Sequence, residues 1–252
     1  MANKKKTILE TLFPQFCLGC DKEGEIICSD CLSLIEISDF VYCPFCTKPQ
    51  RVFGKGTCAN HRSHFLDGLY FAASYQQKLM KKMITQFKYE PYLKIIAPTL
   101  AFLIITYFVK TKNTQIFTDG ENPVRGLASN GENSLFLPVP LAKNKKRERG
   151  YNQAELIAEI LAGYFQVPLM TGALVKIKKT PQQVGLSLEQ RKKNIRGVFT
   201  VQSPALIRGK KIFLVDDVFT TGSTMEEAAS VLKQSGATSV WGITVAREPL
   251  AQ

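Results

Sequence analysis

All seven cysteines of this 252-residue chain fall between Cys17 and Cys58, and they come in pairs. With one histidine they make four knuckles: Cys17-x-x-Cys20, Cys28-x-x-Cys31, Cys43-x-x-Cys46 and Cys58-x-x-His61. A two-residue gap lets both side chains of a pair turn toward one ion, and two such pairs complete the tetrahedron of a structural zinc site. Eight ligands therefore predict two zinc ions. The simplest arrangement is sequential, with Cys17, Cys20, Cys28 and Cys31 in one site and Cys43, Cys46, Cys58 and His61 in the other. A cross-braced pattern would use the same ligands, and His64 competes with His61 for the last position. Gly19 and Pro44, inside the knuckles, suit tight turns. Two rivals exist: disulfides, which a reducing cytosol disfavours, and an iron–sulfur cluster, whose cysteine spacing overlaps. Four protein ligands leave no open position for water, so the zinc sites are expected to be structural. Residues 1–66 have little core of their own, and metal would supply most of their folding energy.

Residues 67–252 are expected to form a second, larger unit. Residues 1–67 hold as many acidic as basic residues, so the whole formal charge of +12 falls on the remainder. Such an excess favours phosphates, on a nucleotide or on a nucleic acid strand, although any single lysine is equally well a solvated surface group. Lys4, Lys5 and Lys6 mimic the start of an export signal, but Glu10 and Pro14 interrupt the stretch after them. The apolar run 95–109 contains Pro98 and is short of the roughly 20 residues that cross a bilayer. The expectation is a cytoplasmic protein without a membrane span.

The larger unit alternates strands and helices. Residues 67–75 read as a strand, and 76–88 as a helix with Leu79, Met83 and Phe87 on one face. Pro91 is expected to start a second apolar helix reaching about Val109. Residues 111–134, rich in Asn, Gly, Thr and Ser without periodicity, read as a flexible insertion. Next come a strand at 135–140, a helix at 152–165, a continuous apolar strand at 212–215, a helix at 224–234 ended by Gly236, and a strand at 239–246. The pattern predicts an α/β fold with a mainly parallel sheet and flanking helices.

The stretch 212–224, IFLVDDVFTTGST, carries the chemistry. A buried strand delivers Asp216 and Asp217 at its C-terminal end, where such sheets hold ligands. A turn with Gly222 and several hydroxyls comes next, and a helix begins. N–H groups at a helix start form an anion site, and glycine lets the ligand approach. A ribose with free hydroxyls at one end and a 5′-phosphate at the other suits both halves. The nucleotide-hydrolase signature GxxxxGK[ST] is absent. A plainer alternative is helix capping, because Ser223-x-x-Glu226 and Thr224-x-x-Glu227 are both capping-box patterns. Capping does not account for two adjacent carboxylates after four apolar residues.

VDDVFTTGST resembles the phosphoribosyl-pyrophosphate motif of type I phosphoribosyltransferases. Nearly the whole chain resembles the ComF/GntX family of competence-related proteins: the double zinc ribbon, FLPVP before a basic loop, RGYNQAELIA at 149–158 and TPQQVGLSLEQRKKNIRGVF at 180–199. The fourth knuckle of that family is usually Cys-x-x-Cys, where this chain has His61. The resemblance implies a type I phosphoribosyltransferase-like fold. In it Asp216 and Asp217 act as the catalytic pair, binding the ribose hydroxyls directly or through Mg²⁺-bound water. Thr220, Thr221, Gly222, Ser223 and Thr224 would cradle the 5′-phosphate. Lys143, Lys145, Lys146, Arg147 and Arg149, in the loop after Pro140, would neutralise departing pyrophosphate. Residues 180–196 would form a cover, with Lys179, Gln182 and Arg191 reaching inward, or else a solvated amphipathic helix. The family's link to DNA uptake implies a competence helicase as partner. The zinc ribbons, basic loop and net charge equally suit a module that grips single-stranded DNA without transferase turnover.

Overall fold

A computed structural model describes residues 14–54, 56–117, 133–178 and 196–248. Among the described residues, the cysteine-rich part holds one short helix, α1 (Ser29–Ser33), and a 3-10 turn at Ala59–His61. The remainder contains β1 (Gly68–Ser74), α2 (Lys78–Lys88), α3 (Ala97–Lys110), β2 (Ser134–Pro138), α4 (Lys143–Arg149) and α5 (Gln153–Phe165). It continues through β3 (Leu174–Lys176), β4 (Phe199–Val201), α6 (Pro204–Ile207), β5 (Lys211–Phe219), α7 (Ser223–Gln234) and β6 (Ser239–Arg247).

Four strands form one parallel sheet in the order β1-β6-β5-β2, with β5 and β6 at its centre. The apolar run of β5 feeds two cores. Phe213 and Val215 join Tyr70, Phe136 and Ile243 beneath α2, α3 and α5. Ile212 and Leu214 join Leu69, Leu137 and Val240 against Met225, Ala228 and Leu232 of α7. Helices on both faces are what a parallel sheet requires, and they explain why β5 reads as continuous rather than alternating.

The cysteine-rich part lies along the edge of this sheet. Ile37 bridges Ala73 in antiparallel fashion, and Ser38 N–H donates to Ala72 O at 2.8 Å, which covers the free edge of β1.

Several expectations need correction. The second helix begins at Ala97, after a 3-10 turn at Lys94–Ile96, and not at Pro91; Pro98 sits in its first turn, where a missing N–H costs nothing. The basic loop after Pro140 is helical over Lys143–Arg149, closed by Gly150 in the left-handed conformation at φ 81°. The expected insertion is structured at both ends. A 3-10 turn spans Thr114–Phe117, Phe117 stacks on Phe165 at 4.1 Å, and Ser134 already belongs to β2. Its middle, 118–132, and the expected cover with Lys179, Gln182 and Arg191 lie outside the described residues. The two-stranded antiparallel sheet β3–β4 was not anticipated.

Candidate active site and metal centres

The cysteines converge as two separate clusters in the sequential pairing: Cys17, Cys20, Cys28 and Cys31, then Cys43, Cys46, Cys58 and His61, each with its ligand atoms within 4.8 Å of one another. Cys17 Sγ lies 3.6 Å from Cys28 Sγ, Cys20 Sγ 3.7 Å from Cys28 Sγ, and Cys46 Sγ 3.6 Å from Cys58 Sγ. A tetrahedral ion with sulfur bonds of about 2.3 Å holds its thiolates about 3.7 Å apart. The spacing therefore fits single-ion cages and is far longer than a disulfide bond. All seven thiols are free. A multi-iron cluster would set its own sulfides between the cysteines and spread them further.

His61 takes the eighth position. Its Nδ1 lies 3.2 Å from Cys58 Sγ, 3.4 Å from Cys43 Sγ and 3.5 Å from Cys46 Sγ. His64 faces elsewhere: it stacks on Phe45 at 3.6 Å and places Nδ1 3.2 Å from Glu226 Oε1. In the first cluster burial opposes ionisation of Cys17. N–H groups of Cys28, Cys20 and Gly19 directed at its sulfur outweigh that and bring the thiol down to about 6. Gly19 is needed for closeness, since a Cβ there would lie 2.5 Å from Cys31 Sγ.

The carboxylates stand inside β5, not past its end. The strand continues to Phe219 because β6 runs alongside it: Asp216 pairs with Thr244, Val218 with Ala246 and Phe219 with Arg247. Neighbouring residues of a strand point to opposite faces, and the two carboxylates have different company. Asp217, 6% exposed, takes an ion pair from Lys88 at 2.8 Å, at the C-terminal end of α2. Asp216 accepts Asp217 N–H at Oδ1, 2.9 Å away. Burial, then the neighbouring charge of Asp217, pushes its carboxyl from 3.8 to about 7, with Lys88 opposing. Lys88 stays charged: burial works against its ammonium, but attraction to Asp217 and Asp216 raises its pKa. Burial and then repulsion from Lys145 lower the pKa of Lys176 of β3, with Asp216 pulling the other way, so β3 brings an ammonium group near this carboxylate.

The motif RGYNQAELIA explains how Lys88 is placed. Tyr151 Oη and Gln153 Nε2 both donate to Phe87 O, at 2.8 and 3.1 Å, and so hold the end of α2. Asn152 caps α5 through Ala154 N–H and donates to Val139 O beyond β2. Sequence reasoning missed Lys88 and Lys176 because nothing local distinguishes them from surface lysines.

After β5 the chain turns at Gly222, φ 77°, which is the N-cap of α7. A Cβ at Gly222 would also come within 2.4 Å of Phe219 Cζ, so both conformation and space demand glycine. Gly222 offers no side chain to cap the helix start. Thr221 Oγ1 comes near it, 3.4 Å from Ser223 N–H and 3.0 Å from Ser223 Oγ. Among the described residues neither capping box forms: Glu226 accepts from Phe65 and Leu66 N–H at 2.9 and 3.0 Å, and Glu227 from Gly197 N–H at 2.6 Å. The first-turn N–H groups suit an anion. Of the five basic residues of α4, Lys146 is committed to Glu155 at 2.7 Å, Lys145 and Arg149 are half-buried, and Lys143 and Arg147 are exposed.

Residues 152–250 match the family model described as "Phosphoribosyl transferase domain". The chain is 28% identical over 222 residues to "Competence protein F" of Haemophilus influenzae, covering 86% of this chain and 89% of that protein. It is 27% identical over 235 residues to "Competence protein ComFC" of Bacillus subtilis, covering 90% and 86%. To "DNA utilization protein YhgH" of Escherichia coli K12 it is 33% identical over 105 residues, 42% of this chain and 45% of that protein. The two competence proteins each align over most of this chain. Residues 152–250 therefore carry a phosphoribosyl transferase domain, and the chain as a whole is similar to competence proteins of the ComF type.

Proposed function

We propose that the protein binds phosphoribosyl pyrophosphate with Mg²⁺ at the C-terminal end of β5 and acts in DNA uptake, with two structural zinc ions. The observation that carries this reading is the pairing of Asp216 and Asp217 with a glycine-entered helix start. Residues 220–224 cradle the 5′-phosphate through Thr220, Thr221, Gly222, Ser223 and Thr224, using first-turn N–H groups and hydroxyls. Asp216 and Asp217 take the ribose hydroxyls. Adjacent carboxylate oxygens also suit a hard cation; Mg²⁺ held there, directly or through water, would neutralise pyrophosphate charge. Lys143 and Arg147, with Lys145 and Arg149 beside them, stabilise pyrophosphate as the anomeric C–O bond breaks and its electron pair leaves with it. An acceptor nucleophile then forms the new bond at the anomeric carbon. Lys88 holds the Asp217 carboxylate in place through their 2.8 Å ion pair. The role in DNA uptake rests on the names of the relatives.

Calorimetric titration of the zinc-loaded protein tests the reading. Saturable, Mg²⁺-dependent binding that the double variant Asp216→Asn/Asp217→Asn loses is expected; no binding by folded wild type sinks it. The basic helix α4 favours a second reading, a single-stranded DNA adaptor without turnover. That reading expects strand affinity to fall steeply with salt and to survive Asp216→Asn.

A further inference from the structure

The Cys43, Cys46, Cys58, His61 cluster contributes no residue to the phosphate cradle, yet three ties join the two. Glu226 stands in the first turn of α7, its own N–H bonded to Gly222 O at 2.8 Å. Its carboxylate accepts Phe65 N–H at 2.9 Å and Leu66 N–H at 3.0 Å, with His64 Nδ1 3.2 Å away, all just past the fourth knuckle. The second tie is aromatic. Phe45, inside the third knuckle, stacks on His64 at 3.6 Å and meets Phe219 edge-on at 6.4 Å, and Phe219 is the ring that underlies Gly222. The third is Arg247, which pairs in register with Phe219 and whose Nη2 donates to Pro44 O at 3.2 Å and Cys46 O at 2.9 Å.

We infer that the histidine-containing metal centre positions the phosphate loop: a divalent ion bound there raises affinity for the phosphoribosyl ligand, with Glu226 as the positioning residue. Three thiols and an imidazole converge only while an ion holds them. Without it the carbonyls of Pro44 and Cys46 leave Arg247, and Phe45 and His64 lose their platform. The start of α7 then gains freedom that the ligand must remove on binding. The coupling is reciprocal, so the ligand must tighten metal binding at this centre by the same factor. The all-cysteine centre is tied elsewhere; its sulfurs pack against Leu79 of α2. This inference rests on the phosphoribosyl reading of the site, and the experiment separates the two.

The full chain substituted with cobalt(II) reports each centre separately, because all-sulfur and three-sulfur-one-nitrogen ligand fields give different visible bands. Loss of each band to a chelator is followed with and without phosphoribosyl pyrophosphate in excess Mg²⁺. Chelation by the ligand itself would speed loss, the opposite sign to the protection expected. Ligand should slow loss from the histidine-containing centre at least fivefold and leave the all-cysteine centre unchanged. Glu226→Ala should abolish that protection and weaken binding at least fivefold by calorimetry with metal retained. Glu226→Gln, which keeps one carbonyl acceptor, should recover part of both. Wild-type binding with no protection, and undiminished binding by both Glu226 variants, overturns the inference and leaves the site intact. No binding by folded wild type removes the phosphoribosyl reading and this inference with it.

Discussion

Asp216→Asn should make the unliganded protein more stable at neutral pH, and by an amount that depends on pH. The carboxyl rises from 3.8 to about 7 because burial and the charge of Asp217 penalise its ionised form. The folded chain therefore keeps a proton that the unfolded chain releases, and stability falls as pH rises from about 4 to 7. Each pH unit of displacement is worth about 1.4 kcal/mol, so the full penalty above pH 7 would be about 4 kcal/mol. Asp216 is only half-buried by surface exposure, and screening there cuts the effect to about 2 kcal/mol. Asparagine keeps the Oδ1 acceptor for Asp217 N–H and carries no charge, so it removes the penalty with little disturbance. Urea unfolding of the zinc-loaded proteins across a series from about pH 4 to about pH 8 is the assay, a window that spans the change and its plateau. Comparing wild type with variant at each pH cancels the effect of acid on the zinc thiolates. The gap should be small at the acid end, widen through neutrality and then level off. Parallel curves, or a variant less stable at the alkaline end, would refute the burial argument.

Binding of phosphoribosyl pyrophosphate with Mg²⁺ should release a proton from Asp216 just below neutral pH, seen as a dependence of calorimetric heat on buffer ionisation enthalpy. Lys88→Met should cost about 1–3 kcal/mol in urea unfolding, since it strands the buried Asp217 charge; the side chain of Lys88 is 27% exposed, which keeps the loss below that of a fully buried pair. Adding Asp217→Asn should recover most of it. Gly222→Ala meets both a left-handed backbone and Phe219, and should cost about 1–3 kcal/mol and abolish ligand binding by calorimetry. Elemental analysis should find two zinc ions per chain, and Gly19→Ala, which would crowd Cys31, should speed release of one of them to a chelator.

Much of this molecule was legible in one dimension because its determinants are local. The two-residue gap of each knuckle already turns two ligands the same way, whatever the rest of the chain does. The apolar run of β5 announces a strand buried on both faces, and VDDVFTTGST sets carboxylates, glycine and helix start in consecutive order. Helix type in α2 and α5 came from spacing alone. What the sequence left open was everything that depends on a distant partner. His61 and His64 both lie within reach of Cys58 in the sequence, and the stack on Phe45 and the contact with Glu226 take His64 out of the cluster. Glu226 and Glu227 look like capping residues until the fold offers them the backbone of Phe65, Leu66 and Gly197. Lys88 becomes part of the site because Tyr151 and Gln153 fix the end of α2 beside Asp217. The reason is physical: a hydrogen bond or ion pair is specified by where both partners stand, and sequence neighbourhood states only one of them.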